Sequence, residues 1–175
     1  ERIMERVAIA GGGSWGSALA NLLVDNHHDV LVYDLDQLLV DEINQNHTNH
    51  SKLGEVKLNE GVKATTDLKA LLDFSDVIVL AVPTSVTRAV LVNIKQLIDD
   101  KKLFINVAKG LEKDTNDRVS EIVYDEIPKQ YIEGFVSLTR PSHAEEVIVK
   151  KITSVVAASE DIHHAKRVQH LFSND

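Results

Sequence analysis

The chain has 175 residues, which is enough for one domain with a sizeable core, and its 43% hydrophobic and 26% charged content is typical of a soluble globular protein. Its net charge of −8 at pH 7, without a basic cluster, disfavours nucleic acids and anionic membranes as partners, and the absence of cysteine excludes disulfides, thiolate metal sites and thiol catalysis. No segment has the pattern of a secretory signal or of a membrane-spanning helix, so we expect a cytoplasmic protein.

A glycine-rich turn lies near the amino terminus, between an apolar strand at residues 7–10 and the start of a helix. Gly11 permits the sharp turn, Gly13 lets the backbone approach a pyrophosphate without a Cβ in the way, and Gly16 allows close contact between helix and strand. The phosphates would lie on the N–H groups at the start of the helix. Because strand, turn and helix occur in the required order, the pattern favours nucleotide binding over a plain strand-to-helix connection.

A second buried strand is predicted at residues 29–34, and it ends in an acid. Asp34 lies about twenty residues beyond the glycine turn, where a dinucleotide fold places the group that binds the ribose hydroxyls. A carboxylate there favours NAD over NADP, because it would repel a 2′-phosphate. Alternatively, Asp34 or Asp36 is the N-cap of the next helix, predicted at residues 37–46. Both assignments hold if each acid has one role.

Residues 47–61 have no strong pattern, and we expect a polar surface loop. His47 and His50 are close in sequence, but no acidic or third histidine ligand has a suitable spacing. We therefore interpret them as solvated histidines and expect no metal site.

The rest of the chain alternates between strand and helix patterns. The predicted strands are at residues 61–65, 75–83, 103–108, 135–139 and 152–158, and the predicted helices are at 67–72, 84–98, 117–127, from 141 onward, and 161–172. This alternation predicts an α/β fold, a Rossmann-like doubly wound and mainly parallel sheet with helices on both faces. We expect residues 1–175 to form one such domain.

Lys109 follows the fifth predicted strand and precedes Gly110. In parallel sheets, ligands bind beyond the carboxyl ends of the strands, so a cation there could meet an anionic substrate. A solvated surface lysine is the alternative, and the local pattern leaves both open.

Four motifs, in order and together extending over nearly the whole chain, carry a family resemblance. They are Gly11-Gly12-Gly13-Ser14-Trp15-Gly16, Val82-Pro83 followed by Arg88, Ala108-Lys109-Gly110-Leu111-Glu112, and Pro141-Ser142-His143-Ala144-Glu145-Glu146. With them the sequence resembles the nucleotide-binding half of bacterial NAD(P)-dependent glycerol-3-phosphate dehydrogenase. The tryptophan and the Pro-Ser-x-Ala-Glu-Glu element are more specific than the glycines.

The resemblance implies an oxidoreductase that interconverts dihydroxyacetone phosphate and sn-glycerol 3-phosphate for glycerophospholipid synthesis, with NAD as cofactor and NADP as the alternative. It implies a small-molecule substrate as partner and leaves a homodimer open. The implied cofactor contacts are Gly11, Gly13, Ser14, Trp15, Gly16, Asp34, Pro83, Lys109 and Ala144, and the implied substrate contacts are Lys109, Arg140 and Ser142. Lys109 would lie between cofactor and substrate, where it can offset phosphate charge or polarise the carbonyl group.

The chain departs from the family in three ways. Arg140 replaces a glycine of the substrate site, and Leu35 stands where many members have an arginine, which weakens the case for NADP. The family also has a second, helical domain that supplies a general acid/base lysine, and this chain stops before it. We therefore expect a fragment that binds cofactor and turns over poorly alone.

Two other functions compete with this interpretation. One is another dehydrogenase of the 6-phosphogluconate type, which the Lys109-Gly110 and Pro141-Ser142 elements disfavour. The other is a non-catalytic NAD(H)-binding module.

Overall fold

The computed structural model describes residues 3–139 and 156–173, which alternate between strands and helices. The strands are β1 (Arg6–Ala10), β2 (Asp29–Tyr33), β3 (Val62–Thr65), β4 (Val77–Leu80), β5 (Lys102–Asn106), β6 (Ile132–Thr139) and β7 (Val156–Ala158). The helices are α1 (Ser14–Asp25), α2 (Gln37–Asn46), α3 (His50–Leu53), α4 (Leu68–Phe74), α5 (Thr84–Leu97), α6 (Val119–Glu126) and α7 (Ile162–Phe172), with a 3-10 turn at Lys129–Tyr131.

The strands form one sheet in the order β3-β2-β1-β4-β5-β6-β7. Neighbouring strands are parallel except for β7, which runs antiparallel to β6. The predicted Rossmann-like, mainly parallel sheet is therefore confirmed. The strand order reverses between β1 and β4, and such a switch point leaves a crevice beyond the carboxyl ends of the two strands.

Both faces of the sheet are covered by helices, which is why the central strand β4 is apolar along its whole length. In β1, Val7 and Ile9 belong to a hydrophobic cluster that also includes buried residues of α1, α2 and α7. Ala8 and Ala10 alternate with them and belong to a second cluster with α4, α5 and α6. Alternate residues of a continuous apolar run therefore pack on opposite faces of the sheet.

Aspartates begin three of the helices. Asp36 accepts a hydrogen bond from the Leu38 amide at the start of α2, Asp67 accepts from Lys69 and Ala70 at the start of α4, and Asp161 accepts from His163 at the start of α7. Capping of this kind satisfies amides that have no partner within the helix.

The prediction of a surface loop at residues 47–61 is wrong. This segment contains α3 and an isolated bridge between Thr48 and Lys57, and it buries the apolar side chains Leu53 and Leu58 together with Asn49. Leu53 and Leu58 are too isolated in sequence to produce a helical or strand period. His50 is exposed and bonds Glu42, whereas the Nδ1 atom of His47 is buried.

The bounds of most predicted elements also shift by one to three residues. The sixth strand begins at Ile132 rather than Phe135, because Glu133 and Gly134 interrupt the apolar run without ending the ladder. The helix expected from residue 117 begins at Val119. The helix expected from residue 141, and residues 152–155 of the last predicted strand, lie outside the described residues.

Candidate functional site

A cleft lies at the switch point of the sheet and consists of two adjoining hollows. The larger, of about 390 Å³, is lined by Gly13, Ser14 and Trp15, by residues 81–84 after β4, by residues 107–109 after β5, and by Lys52. The smaller, of about 260 Å³, is lined by the glycine turn, Asp34 and Asp36, and residues of α2 and α3. Gly13 and Lys52 line both hollows, so the two form one continuous groove across the start of α1.

Three positions of the turn favour glycine, each for a different structural reason. Gly11 has φ +125°, and a Cβ there would lie 2.6 Å from the carbonyl oxygen of Ala81. A Cβ on Gly16 would overlap the carbonyl oxygen of Gly11, so this residue brings α1 close to the turn. Around Gly13, the N-cap of α1, a Cβ would meet no atom within 4 Å. Gly13 therefore keeps open the space beside the first amides of the helix.

Of the two aspartates that the sequence offered as the cap of the second helix, the structure uses Asp36, and Asp34 makes other contacts. One oxygen of the Asp34 carboxylate accepts the Gly12 amide and the other accepts the Asp36 amide, each at 2.9 Å. Asp36 is the N-cap of α2. Asp34 thus fixes the glycine turn while it lines the smaller hollow.

Asn49 is a component of the site that the sequence pattern did not reveal. Its buried side chain donates to the Gly12 carbonyl at 2.9 Å and to the Ser17 hydroxyl at 3.0 Å. The Ser17 hydroxyl in turn donates to the Gly12 carbonyl. Gly12 is therefore held through its amide by Asp34 and through its carbonyl by Asn49 and Ser17. A single asparagine in an irregular segment gives no sequence signal for such a role.

Lys52 is the second residue that the sequence pattern missed. It is exposed on α3, and its side chain has no hydrogen bond or ion pair with any described residue. A cation at the junction of the two hollows can offset the charge of an anion bound across Gly13.

Lys109 lines the larger hollow with Pro83 and Thr84, as do Gly13 and Ser14 at the start of α1. The Thr84 hydroxyl donates to the Lys109 carbonyl oxygen at 2.9 Å. The Lys109 ammonium is exposed, and within the described ranges it has no bonded partner. The structure thus brings Ser14, Pro83 and Lys109 together around one hollow, whereas Arg140, Ser142 and Ala144 lie outside the described residues.

Arg88 on α5 binds the loop that follows Lys109. Its guanidinium makes three contacts of 2.8–3.1 Å with the Glu112 carboxylate and also pairs with Asp117, Asp125 and Glu126. Hydrogen bonds from Arg88 and Thr115 lower the pKa of Glu112 to about 2. Burial and neighbouring carboxylates raise the pKa of Asp117.

The described residues contain neither a metal-ligand cluster nor a membrane-spanning helix. No group of three or more histidine, aspartate or glutamate side chains is arranged to hold a metal ion. Within the same ranges, no helix combines the length and the apolar character needed to cross a bilayer.

Comparisons with known proteins agree on one family. Residues 6–165 match the family model described as the NAD-dependent glycerol-3-phosphate dehydrogenase N-terminus. The chain is 45% identical to NAD(P)+ glycerol-3-phosphate dehydrogenases of Staphylococcus epidermidis and Bacillus pumilus, with 98% of this chain and 52% or 50% of the relative covered. The glycerol-3-phosphate dehydrogenase structure from Coxiella burnetii has a TM-score of 0.88 at 30% identity, over 98% of this chain and 52% of that one. The chain therefore spans about half the length of the relatives it matches.

Exchanges of Gly13 and Gly16 for alanine separate ligand access from packing. We expect Gly13→Ala to keep the free energy of unfolding within about 1 kcal/mol of wild type, because its Cβ enters open space at an N-cap. The same Cβ blocks the helix amides, so the affinity for NADH falls about tenfold or more. Gly16→Ala should instead lose about 2 kcal/mol or more of stability through overpacking. Urea unfolding and calorimetric titration measure both effects, and equal NADH affinity in Gly13→Ala and wild type would contradict the site.

The ion pair of Glu112 predicts how stability depends on pH. Its pKa is lower in the folded state than in the unfolded chain, so its ionisation stabilises the fold above about pH 4.5, and this contribution is lost as the pH falls toward 2. We therefore expect the urea midpoint of Glu112→Gln to fall less between pH 5 and pH 2.5 than that of wild type. Glu55→Gln, at an almost fully exposed glutamate, is the matched control and should follow wild type. Identical slopes for all three proteins would show that the pair contributes nothing.

Proposed function

Since the chain belongs to the NAD-dependent glycerol-3-phosphate dehydrogenase family, whose N-terminal part it matches, we propose that it is the cofactor-binding domain of an oxidoreductase. The enzyme interconverts sn-glycerol 3-phosphate and dihydroxyacetone phosphate with NAD(H). One observation carries the proposal: at the switch point of the sheet, the start of α1 is open at Gly13 and lines the same hollow as Lys109. This is a groove for a diphosphate with a cation at the end where an anionic substrate would react.

The groove suits an extended dinucleotide. The amides at the start of α1 beside Gly13 would hold the pyrophosphate, and Lys52 would offset part of its charge. Asp34 would accept the hydroxyls of the adenosine ribose in the smaller hollow. Ser14, Trp15 and Pro83 would hold the nicotinamide in the larger hollow.

NAD is the preferred cofactor in this proposal, with NADP as the alternative. The Asp34 carboxylate would repel a 2′-phosphate, and the neighbouring position is Leu35, an exposed leucine that supplies no compensating cation. The relatives are named for both cofactors, so the proposed preference for NAD rests on Asp34 and Leu35 of this chain.

The reaction requires a hydride, a proton and stabilisation of developing charge. The dinucleotide, when bound, supplies or accepts the hydride. The Lys109 ammonium stabilises the negative charge that develops on the carbonyl oxygen and offsets the charge of the substrate phosphate. Arg140 and Ser142 stay predicted substrate contacts. The family resemblance implies that the general acid/base is a lysine of a helical domain, in the part of the relatives that this chain does not match, so residues 1–175 by themselves would not supply that proton donor or exclude water fully.

We place the reaction in the supply of glycerol 3-phosphate for phospholipids, in the cytoplasm. The proposal leaves a homodimer open.

Exchange of Asp34 tests the cofactor preference. We expect wild type to bind NADH at least about fivefold more tightly than NADPH at low salt, because the carboxylate repels the 2′-phosphate. Asp34→Asn keeps an oxygen that accepts an amide but removes the charge, so the ratio should fall toward one. The control is Asp67→Asn, which changes a capping aspartate away from both hollows. Calorimetric titration gives the ratios, and equal wild-type affinities for NADH and NADPH would refute the role of Asp34.

Turnover tests the assignment of the reaction. We expect residues 1–175 by themselves to bind NADH but to oxidise it with dihydroxyacetone phosphate about 10²-fold or more slowly than the complete enzyme, because the implied proton donor belongs to the part of the relatives that these residues do not match. NADH absorbance follows both reactions. Robust turnover by the 175-residue chain would contradict the division between the two domains. A complete enzyme active only on 6-phosphogluconate, or inactive on all such substrates, would contradict the proposed substrate.

A further inference from the structure

The loop that carries Lys109 has little regular structure of its own. Before Lys109, the Asn106 side chain binds the amide and the carbonyl of Ala108. After Lys109, two backbone hydrogen bonds fold the segment, from the Glu112 amide to the Asp117 carbonyl and from the Asn116 amide to the Glu112 carbonyl. Asp114 and Asn116 have positive φ angles, as does Gly110. Such a loop lacks the ladder that fixes a strand, and contacts with other elements must hold it.

Helix α5 supplies those contacts from one face. Thr84 and Arg88 are four residues apart and therefore neighbours on the helix surface. The Thr84 hydroxyl donates to the Lys109 carbonyl, and one turn later the Arg88 guanidinium binds the Glu112 carboxylate. The loop is thus anchored at Lys109 itself and again three residues later.

These anchors matter because no side-chain contact with a described residue fixes the Lys109 amine. Its side chain has no bonded partner among residues 3–139 and 156–173, so the location of its charge follows the location of its backbone. In a reaction that depends on a preorganised cation, small displacements reduce the stabilisation of the transition state. We propose that Thr84 and Arg88 are positioning residues that hold the Lys109 loop against α5, so that the ammonium meets the substrate beside the nicotinamide. This inference rests on the proposed function.

Arg88 has an electrostatic role in the same place. Four carboxylates, those of Glu112, Asp117, Asp125 and Glu126, surround its single guanidinium. Glu112 is only 13% exposed, so removal of Arg88 would leave a poorly solvated charge next to the loop. An Arg88 variant would therefore lose stability as well as position, and Thr84 and Glu112 offer cleaner tests.

Thr84→Val has a matched control in the same helix. Thr84→Val removes the bond to the Lys109 carbonyl and preserves the shape of the side chain. Thr87 is also buried, and its hydroxyl donates to the Pro83 carbonyl within its own helix, so Thr87→Val loses a similar bond that does not reach the loop. Thr84→Ser keeps the hydroxyl and is the rescue variant. Glu112→Gln weakens the second anchor at a residue that does not line the hollow.

The complete enzyme is assayed for kcat/KM with dihydroxyacetone phosphate, for unfolding midpoint, and for affinity toward ADP-ribose, which lacks the nicotinamide. We expect Thr84→Val and Glu112→Gln to lower kcat/KM about three- to tenfold, the worth of one or two hydrogen bonds. Thr87→Val and Thr84→Ser should stay within about twofold of wild type, and all four variants should keep the wild-type affinity for ADP-ribose.

The outcomes distinguish this inference from the proposed function. If wild type is active and Thr84→Val loses no more activity than Thr87→Val, or if Glu112→Gln is fully active, the loop does not depend on these anchors and the inference is overturned. A parallel loss of ADP-ribose affinity would also overturn it, since the damage would then be general to the cleft. A wild-type enzyme that neither binds NADH nor reduces dihydroxyacetone phosphate would instead refute the proposed function.

Discussion

The close approach of α1 to the turn after β1 is the constraint on which the rest of the site depends. Any side chain at Gly16 would overlap the Gly11 carbonyl, and any side chain at Gly11 would press on Ala81 at the end of β4. The two glycines therefore lock the helix start, the turn and the neighbouring strand together at the point where strand order reverses. This packing determines where α1 begins. Gly13 lies at that point, and a Cβ placed there would meet no atom within 4 Å.

The site divides its work between backbone and side chains. In the proposed function the backbone amides at the start of α1 recognise the diphosphate. Side chains act mainly by holding that backbone in place, since Asp34 and Asn49 bind Gly12 from two sides. Lys109 is the exception, since its charge itself acts on the substrate in the proposed reaction. The same logic nevertheless applies to it, because Thr84 and Arg88 hold the backbone that carries the charge. Contacts with rigid elements fix the backbone of a short exposed loop, and the functional group that the loop carries is then positioned accurately.

Much of this architecture could be predicted from the sequence because it is encoded locally. The glycine spacing, the apolar strand before it and the acid that ends the second strand all depend on neighbours in the chain, and the structure contains each of them. Asn49 could not be predicted, since its partners Gly12 and Ser17 are more than thirty residues away and a lone asparagine has no period. The carboxylates around Arg88 were missed for the same reason. The sequence also left Lys109 undecided between a solvated and a functional lysine, and the family resemblance, rather than periodicity, favoured the functional role.

The most direct measurement is a crystal structure of this chain with NADH. We expect the pyrophosphate to lie against the amides at the start of α1 beside Gly13. The adenosine ribose should lie within hydrogen-bond distance of Asp34, and the nicotinamide in the hollow that contains Lys109. A dinucleotide bound elsewhere on the sheet, or a cleft closed by its own side chains in the presence of saturating NADH, would contradict this expectation.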